Sequence, residues 1–172
     1  MRSIRPQGSS ACGRRGLASE VLRDIRTLQR KIANLNERIE EEVGASGTTL
    51  TEIFGIGPIL AAKIIGTVGN VRRFPTKAHF ASYSGTAPVE ASSGEVVRHR
   101  LSLAGNRKLN NALHMVAISQ AKSDVRGRAY YRKKITEGKS RKEALRCLKR
   151  CISDAVFKSL IADLQEPSCS VA

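Results

Sequence analysis

Apolar residues recur along the first quarter of the chain with spacings of 4, 3, 4, 3 and 4, at Val21, Ile25, Leu28, Ile32, Leu35 and Ile39. Polar and charged residues fill the intervals, so the pattern predicts an amphipathic helix with a heptad seam. Ile25, Ile32 and Ile39 share one seam position, and Leu28 and Leu35 the other. Ile and Leu in those places favour two parallel strands. Residues 17–44 therefore read as a coiled-coil arm, pairing through residues 21–43 as a homodimer or homo-oligomer. The alternative is an amphipathic helix packed on its own domain. "GASGTT" ends the arm, and residues 1–16, rich in Gly, Ser and Arg without periodicity, read as a disordered basic leader.

Residues 48–164 read as a second, compact helical domain, with a loose tail at 165–172. "LTEIFGIGPILAAKIIGTV" predicts a short helix over 50–54, a turn at Gly55-Ile56-Gly57, and a helix from Pro58 to about Val68. That is a helix–hairpin–helix pattern. Gly55 and Gly57 let the turn approach another backbone, and the following helix start offers free N–H groups to a phosphate. The same arrangement also serves as a packing corner. A short helix is expected over 75–83, then an irregular or β-hairpin insert over 89–103. Helices follow from Gly105-Asn106, over the basic "RGRAYYRKKITEG", and from Ser140, where Ser140 and Glu143 form a capping box. Leu145, Leu148, Ile152, Ala155 and Val156 are expected inward on the last helix, beside a basic stripe of Lys142, Arg146, Lys149 and Arg150. The fold class is mainly α.

Charge narrows the function. Lys and Arg outnumber Asp and Glu by 30 to 15. Between Arg98 and Arg150 there are 16 Lys/Arg against three acids, so the excess is concentrated in one stretch. A localised excess points to a polyanion, because every neutralised phosphate releases a counterion. DNA is the expected partner, and Gly55, Gly57, Arg98, Arg100, Arg107, Lys108, Lys142, Arg146, Lys149 and Arg150 are the candidate contacts. No stretch approaches the roughly eighteen apolar residues of a membrane span, and the basic start lacks the apolar core of a secretory signal. A cytoplasmic location is expected. Cys147 and Cys151 lie four apart but lack a second pair or a close histidine, so reduced thiols are expected, not a metal site.

The stretch "SSGEVVRHRLSLAGNRKLNNAL", Ser92 to Leu113, carries the chemistry. Ser92 and Ser93 precede a glycine and a basic turn, and "GNR" then opens a helix. By themselves they fit either a nucleophile beside a phosphate site or an ordinary loop making phosphate hydrogen bonds. His99 is the only base within the stretch, and it fits a basic contact as well.

Taken together and in order, "IFGIGP", the "RRF" segment, "SSG" and "GNR", followed by "GRAYYRKKITEGKSRKEALRCLKRCISDAVFKSL", resemble the C-terminal half of insertion-sequence transposases of the IS-one-ten/IS-one-sixteen/IS-nine-oh-two type, relatives of the Piv/MooV invertases. The resemblance covers about residues 21–164. It implies a domain joined through a coiled coil to a RuvC-like nuclease domain that holds divalent metal (Mg) on acidic side chains. It also implies a serine nucleophile in the second domain, Ser92 or Ser93 here, and recombination of double-stranded DNA directed by an element-encoded guide RNA. No counterpart of the nuclease domain is found in this sequence. Glu40, Glu41 and Glu42 fit solvated arm charges, and Asp154 and Asp163 share one helix without partners. No cofactor or metal is expected in the chain itself. The expectation is a truncated or degenerate transposase, nucleoid-associated in a bacterial cell, which binds but does not cut alone. The alternative is a non-catalytic helix–hairpin–helix nucleic-acid-binding module.

Overall fold

The computed structural model describes residues 8–90, 99–100 and 105–165, with backbone alone at 89–90 and 99–100. The chain forms two compact units, Met1–Glu41 and Glu42–Ala172. The protein is mainly α-helical, as its hydrophobic pattern predicts.

The described residues of the first unit are dominated by one helix, α1, which runs from Ser9 to Ala45 and so extends into the start of the second. Residues 9–16, read from composition as part of a disordered leader, are helical. Once a long helix is nucleated, each added residue needs only propagation, and Arg14, Arg15, Leu17 and Ala18 are good helix formers that carry it past Gly13 and Gly16. The expected seam lies along α1. Val21, Ile25, Leu28, Ile32 and Leu35 are 43–57% exposed, and Leu17 and Leu22 add to the same apolar surface.

The second unit is built around α6 (Arg141–Asp163), against which pack α3 (Lys77–Tyr83), α4 (Arg107–Lys122) and α5 (Arg126–Thr136). α2 (Pro58–Val68) packs on α4. Leu50, Ile64, Phe80, Leu109, Leu113, Val116 and Val156 are fully buried and make an aliphatic core with one aromatic corner, where Phe80 meets Phe74 and Phe157. Local signals set the helix starts. Ser140 and Glu143 form the reciprocal capping box of α6, Pro58 opens α2, and the Asn106 side chain caps α4 by accepting from Leu109 N–H. The segment expected to be helical before the hairpin turn is instead a single 3-10 turn, Thr49–Glu52.

Asp163, unpartnered in the sequence reading, clasps that turn to the end of α6. Its carboxylate accepts from the Thr48 hydroxyl (2.7 Å), the Thr49 hydroxyl (2.6 Å) and Thr49 N–H (3.1 Å). The expected insert opens and closes on a two-residue antiparallel ladder, β1 (Val89–Glu90) with β2 (His99–Arg100), in the register Val89↔Arg100.

Candidate nucleic-acid interface

The turn before α2 contains two glycines with different reasons to be there. Gly55 has φ +90°, and a Cβ on it would lie 3.3 Å from the Ser119 Cβ on α4, so the body's own packing calls for glycine. Gly57 has an ordinary φ of −84°, and a Cβ there would meet nothing within 4 Å. It caps α2 without a side chain. Pro58 has no N–H and Ala61 N–H bonds Gly57 O, which leaves Ile59 and Leu60 with the N–H groups a first helical turn cannot satisfy internally.

The second feature is a clamp between Gly85 and Gly105, which stand before and after Ser92 and Ser93 in the chain. A Cβ on Gly105 would sit 2.4 Å from the N and Cα of Gly85, so the two backbones cross where only glycine fits. Asn106 N–H donates to Tyr83 O at 2.7 Å, and the Asn106 side-chain amide donates to the Tyr83 hydroxyl. The Asn110 amide donates to the carbonyls of both Ser84 (2.9 Å) and Gly85 (3.0 Å), and its oxygen accepts from Lys149 Nζ at 2.8 Å. Beneath these lie the buried hydroxyls of Ser84 and Ser153, 3.2 Å apart. Ser92, Ser93 and Arg98 themselves lie outside the described residues, and Arg100 is placed in β2 by backbone alone. What the structure supplies is the closed base of their segment, beside the first turn of α4, where Arg107 and Lys108 are exposed.

The basic stripe expected on α6 is not a stripe of free cations. Lys149 is only 5% exposed and is held by Asn110, which removes it from any direct phosphate contact. The buried line of α6 runs through Ala144, Leu148, Lys149, Ile152, Ser153 and Val156, rotated away from the expected Leu145 and Ala155, and this turns Lys149 inward. Burial pushes the Lys149 ammonium below its ordinary pKa, and burial together with the Lys149 charge lowers that of His114. Arg150 donates to Lys77 O and stands 3.1 Å from Asp154 Oδ1. That oxygen is buried and lacks a hydrogen bond of good geometry, so the contact is ionic in character and not directional. Arg146 approaches Glu143 at 3.8 Å, and Lys142 is exposed.

Three acids of this unit are similarly committed. Asp163 serves the Thr48–Thr49 clasp, Asp154 faces Arg150, and Glu143 caps α6. Among the described residues no three His, Cys, Asp or Glu side chains converge as metal ligands. They do not fit the divalent ions that the family resemblance implies for a nuclease domain. No helix of the described residues is long and apolar enough to cross a membrane.

Comparison with known proteins bears on this same region. Residues 47–132, from the 3-10 turn to within α5, match the profile described as the Transposase IS116/IS110/IS902 family. The Insertion element IS110 uncharacterized 43.6 kDa protein of Streptomyces coelicolor is 37% identical over 112 residues, 64% of this chain and 28% of that protein. The Insertion element IS116 uncharacterized 44.8 kDa protein of Streptomyces clavuligerus is 31% identical over 107 residues, 62% of this chain and 27% of its own length. The Insertion element IS900 uncharacterized 42 kDa protein of Mycobacterium paratuberculosis is 27% identical over 138 residues, 78% of this chain and 35% of its own. The chain thus spans about a quarter to a third of these relatives. With the turn before α2, the Gly85–Gly105 crossing and α4 all inside the matched region, the chain belongs to the Transposase IS116/IS110/IS902 family.

Proposed function

We propose that this chain is the DNA-binding second domain of a DNA transposase. It holds duplex DNA, with an element-encoded guide RNA as a further ligand, and contributes Ser92 or Ser93 as nucleophile to a site completed by a separate nuclease domain. The observation that carries this is the clamp. Gly85 crosses Gly105, and Asn110 ties the carbonyls of 84 and 85, so both ends of the serine segment are fixed beside the Arg107–Lys108 turn. In the step itself the serine oxygen bonds to phosphorus, and a bond from phosphorus to one deoxyribose oxygen breaks. That sugar oxygen leaves with a proton, and the serine's own proton passes to a base. Arg98, Arg100 and Arg107 neutralise the phosphate but cannot take that proton. Its removal falls to the rest of the transposase, so the chain alone binds and does not cut. Such a domain works on the bacterial nucleoid. The exposed seam of α1 pairs protomers through residues 21–43.

A second reading is a helix–hairpin–helix module that binds nucleic acid without chemistry. It is favoured by Gly57, which no packing among the described residues requires to be glycine. One experiment separates the two. The chain is mixed with a full-length relative whose nucleophilic serine is replaced, together with its guide RNA and DNA, and protein–DNA adducts are sought by denaturing gel and mass spectrometry. An adduct on this chain that vanishes when Ser92 and Ser93 both become Ala supports the composite site. Binding without an adduct supports the module, and an adduct formed by the chain alone contradicts dependence on a partner domain.

A further inference from the structure

Three contacts fix α2 and α4 in one antiparallel register. Gly55 lies against Ser119, Lys63 Nζ donates to Asn111 Oδ1 at 3.4 Å, and the Tyr83 hydroxyl bridges Thr67 O to the Asn106 amide. That register sets Ile59 level with Met115. Ile59 and Lys63 are one helical turn apart on α2, as are Asn111 and Met115 on α4, so all four share the outer face of the pair. Ile59 is 43% and Met115 50% exposed, and the line along α4 continues to exposed Lys108 at one end and exposed Lys122 at the other. Neither helix carries an acid, and between Ile53 and Lys122 the only acids are Glu90 and Glu95.

We propose that this face is a duplex-DNA contact surface distinct from the serine segment. Ile59 and Met115 pack on deoxyribose and base edges between phosphates neutralised by Lys63, Lys108 and Lys122. The inference rests on the nucleic-acid reading above and gives it a location. Charge selects the occupant. A second copy docking this face on itself would set lysines against lysines, whereas a phosphate backbone matches a face that has cations and no acid. Apolar side chains set among cations suit a groove, where sugar edges and base edges lie between two rows of phosphate. α2 is about 16 Å long, roughly half a helical turn of duplex, which matches a contact with phosphates at both ends and an apolar centre.

The test uses the whole chain and a fluorescein-labelled DNA duplex of mixed sequence, read by anisotropy across a salt series. In Ile59→Gln/Met115→Gln, both changes lie on exposed positions, and circular dichroism checks the fold. Affinity is expected to fall about tenfold with the salt slope unchanged, because no phosphate contact is lost. In Lys63→Gln/Lys122→Gln the slope is expected to shrink by about 0.9 per lost contact. If the wild-type chain binds and both variants match it in affinity and slope, the face is not a DNA surface. If the apolar variant leaves DNA binding intact but changes the oligomeric state, the face belongs to a protein contact and the proposal fails. A wild-type chain that binds no DNA overturns the underlying reading instead.

Discussion

The two long helices of this protein, α1 and α6, carry similar apolar stripes and treat them in opposite ways. On α6 the stripe is covered by α3, α4 and α5, and even its polar members, Lys149 and Ser153, are buried with hydrogen-bond partners. On α1 the seam from Val21 to Leu35 is about half exposed. Helices in water draw most of their stability from the burial of an amphipathic face. The stripe of α6 is therefore buried within its own unit, while about half of the α1 seam stays exposed.

The sharpest way to break this contrast is from the body's side. Gly105→Val puts a side chain where a Cβ alone would stand 2.4 Å from Gly85 backbone. Backbone cannot yield as a side-chain tip can, so a loss of about 3 kcal/mol or more is expected, at the upper end of overpacking costs. Urea denaturation of the intact chain measures it, and a variant as stable as wild type would show that the crossing is not tight. The arm answers differently. Ile32→Lys/Leu35→Lys should leave the body's unfolding free energy within about 0.5 kcal/mol of wild type, as surface changes do, while sedimentation shifts from dimer to monomer. A wild-type chain already monomeric at micromolar concentration would defeat pairing through the seam.

A smaller effect sharpens the picture of the buried stripe. Lys149 has a folded-state pKa below its ordinary 10.5, so between the two values the unfolded chain binds the extra proton and the folded one does not. Stability contributed at this site therefore rises as pH climbs through the lowered value and levels off near 10.5. Lys149→Met removes that dependence. The difference between wild-type and variant stability, followed by denaturant titration across alkaline pH, is expected to grow in favour of wild type, and a flat difference would mean the ammonium is well solvated.

The same contrast explains what the sequence discloses. Features decided by neighbouring residues are legible. The Ser140–Glu143 capping box, the Pro58 start of α2 and the heptad spacing of α1 all read correctly as helix signals. Features decided by distant residues are not. Lys149 looks like a surface cation because its partner, Asn110, is 39 positions away, and Asp163 looks idle because Thr48 and Thr49 are more than a hundred positions off. The Gly85–Gly105 crossing leaves only two ordinary-looking glycines in the sequence. Asn110 itself, the centre of the clamp, sits in "KLNNAL" with nothing to separate it from the exposed Asn111. The seam of α1 shows the other limit, since a heptad pattern specifies a surface before it specifies what covers it.

The central claim is that this body grips DNA through its cations, and the salt dependence of its affinity tests that most directly. Anisotropy of a labelled duplex, titrated with the intact chain at several salt concentrations, should give a straight log–log plot falling by about 0.9 for each phosphate engaged, with a total slope steeper than about −3 for a surface of this charge. A slope near zero, or no binding at low salt, would contradict the account.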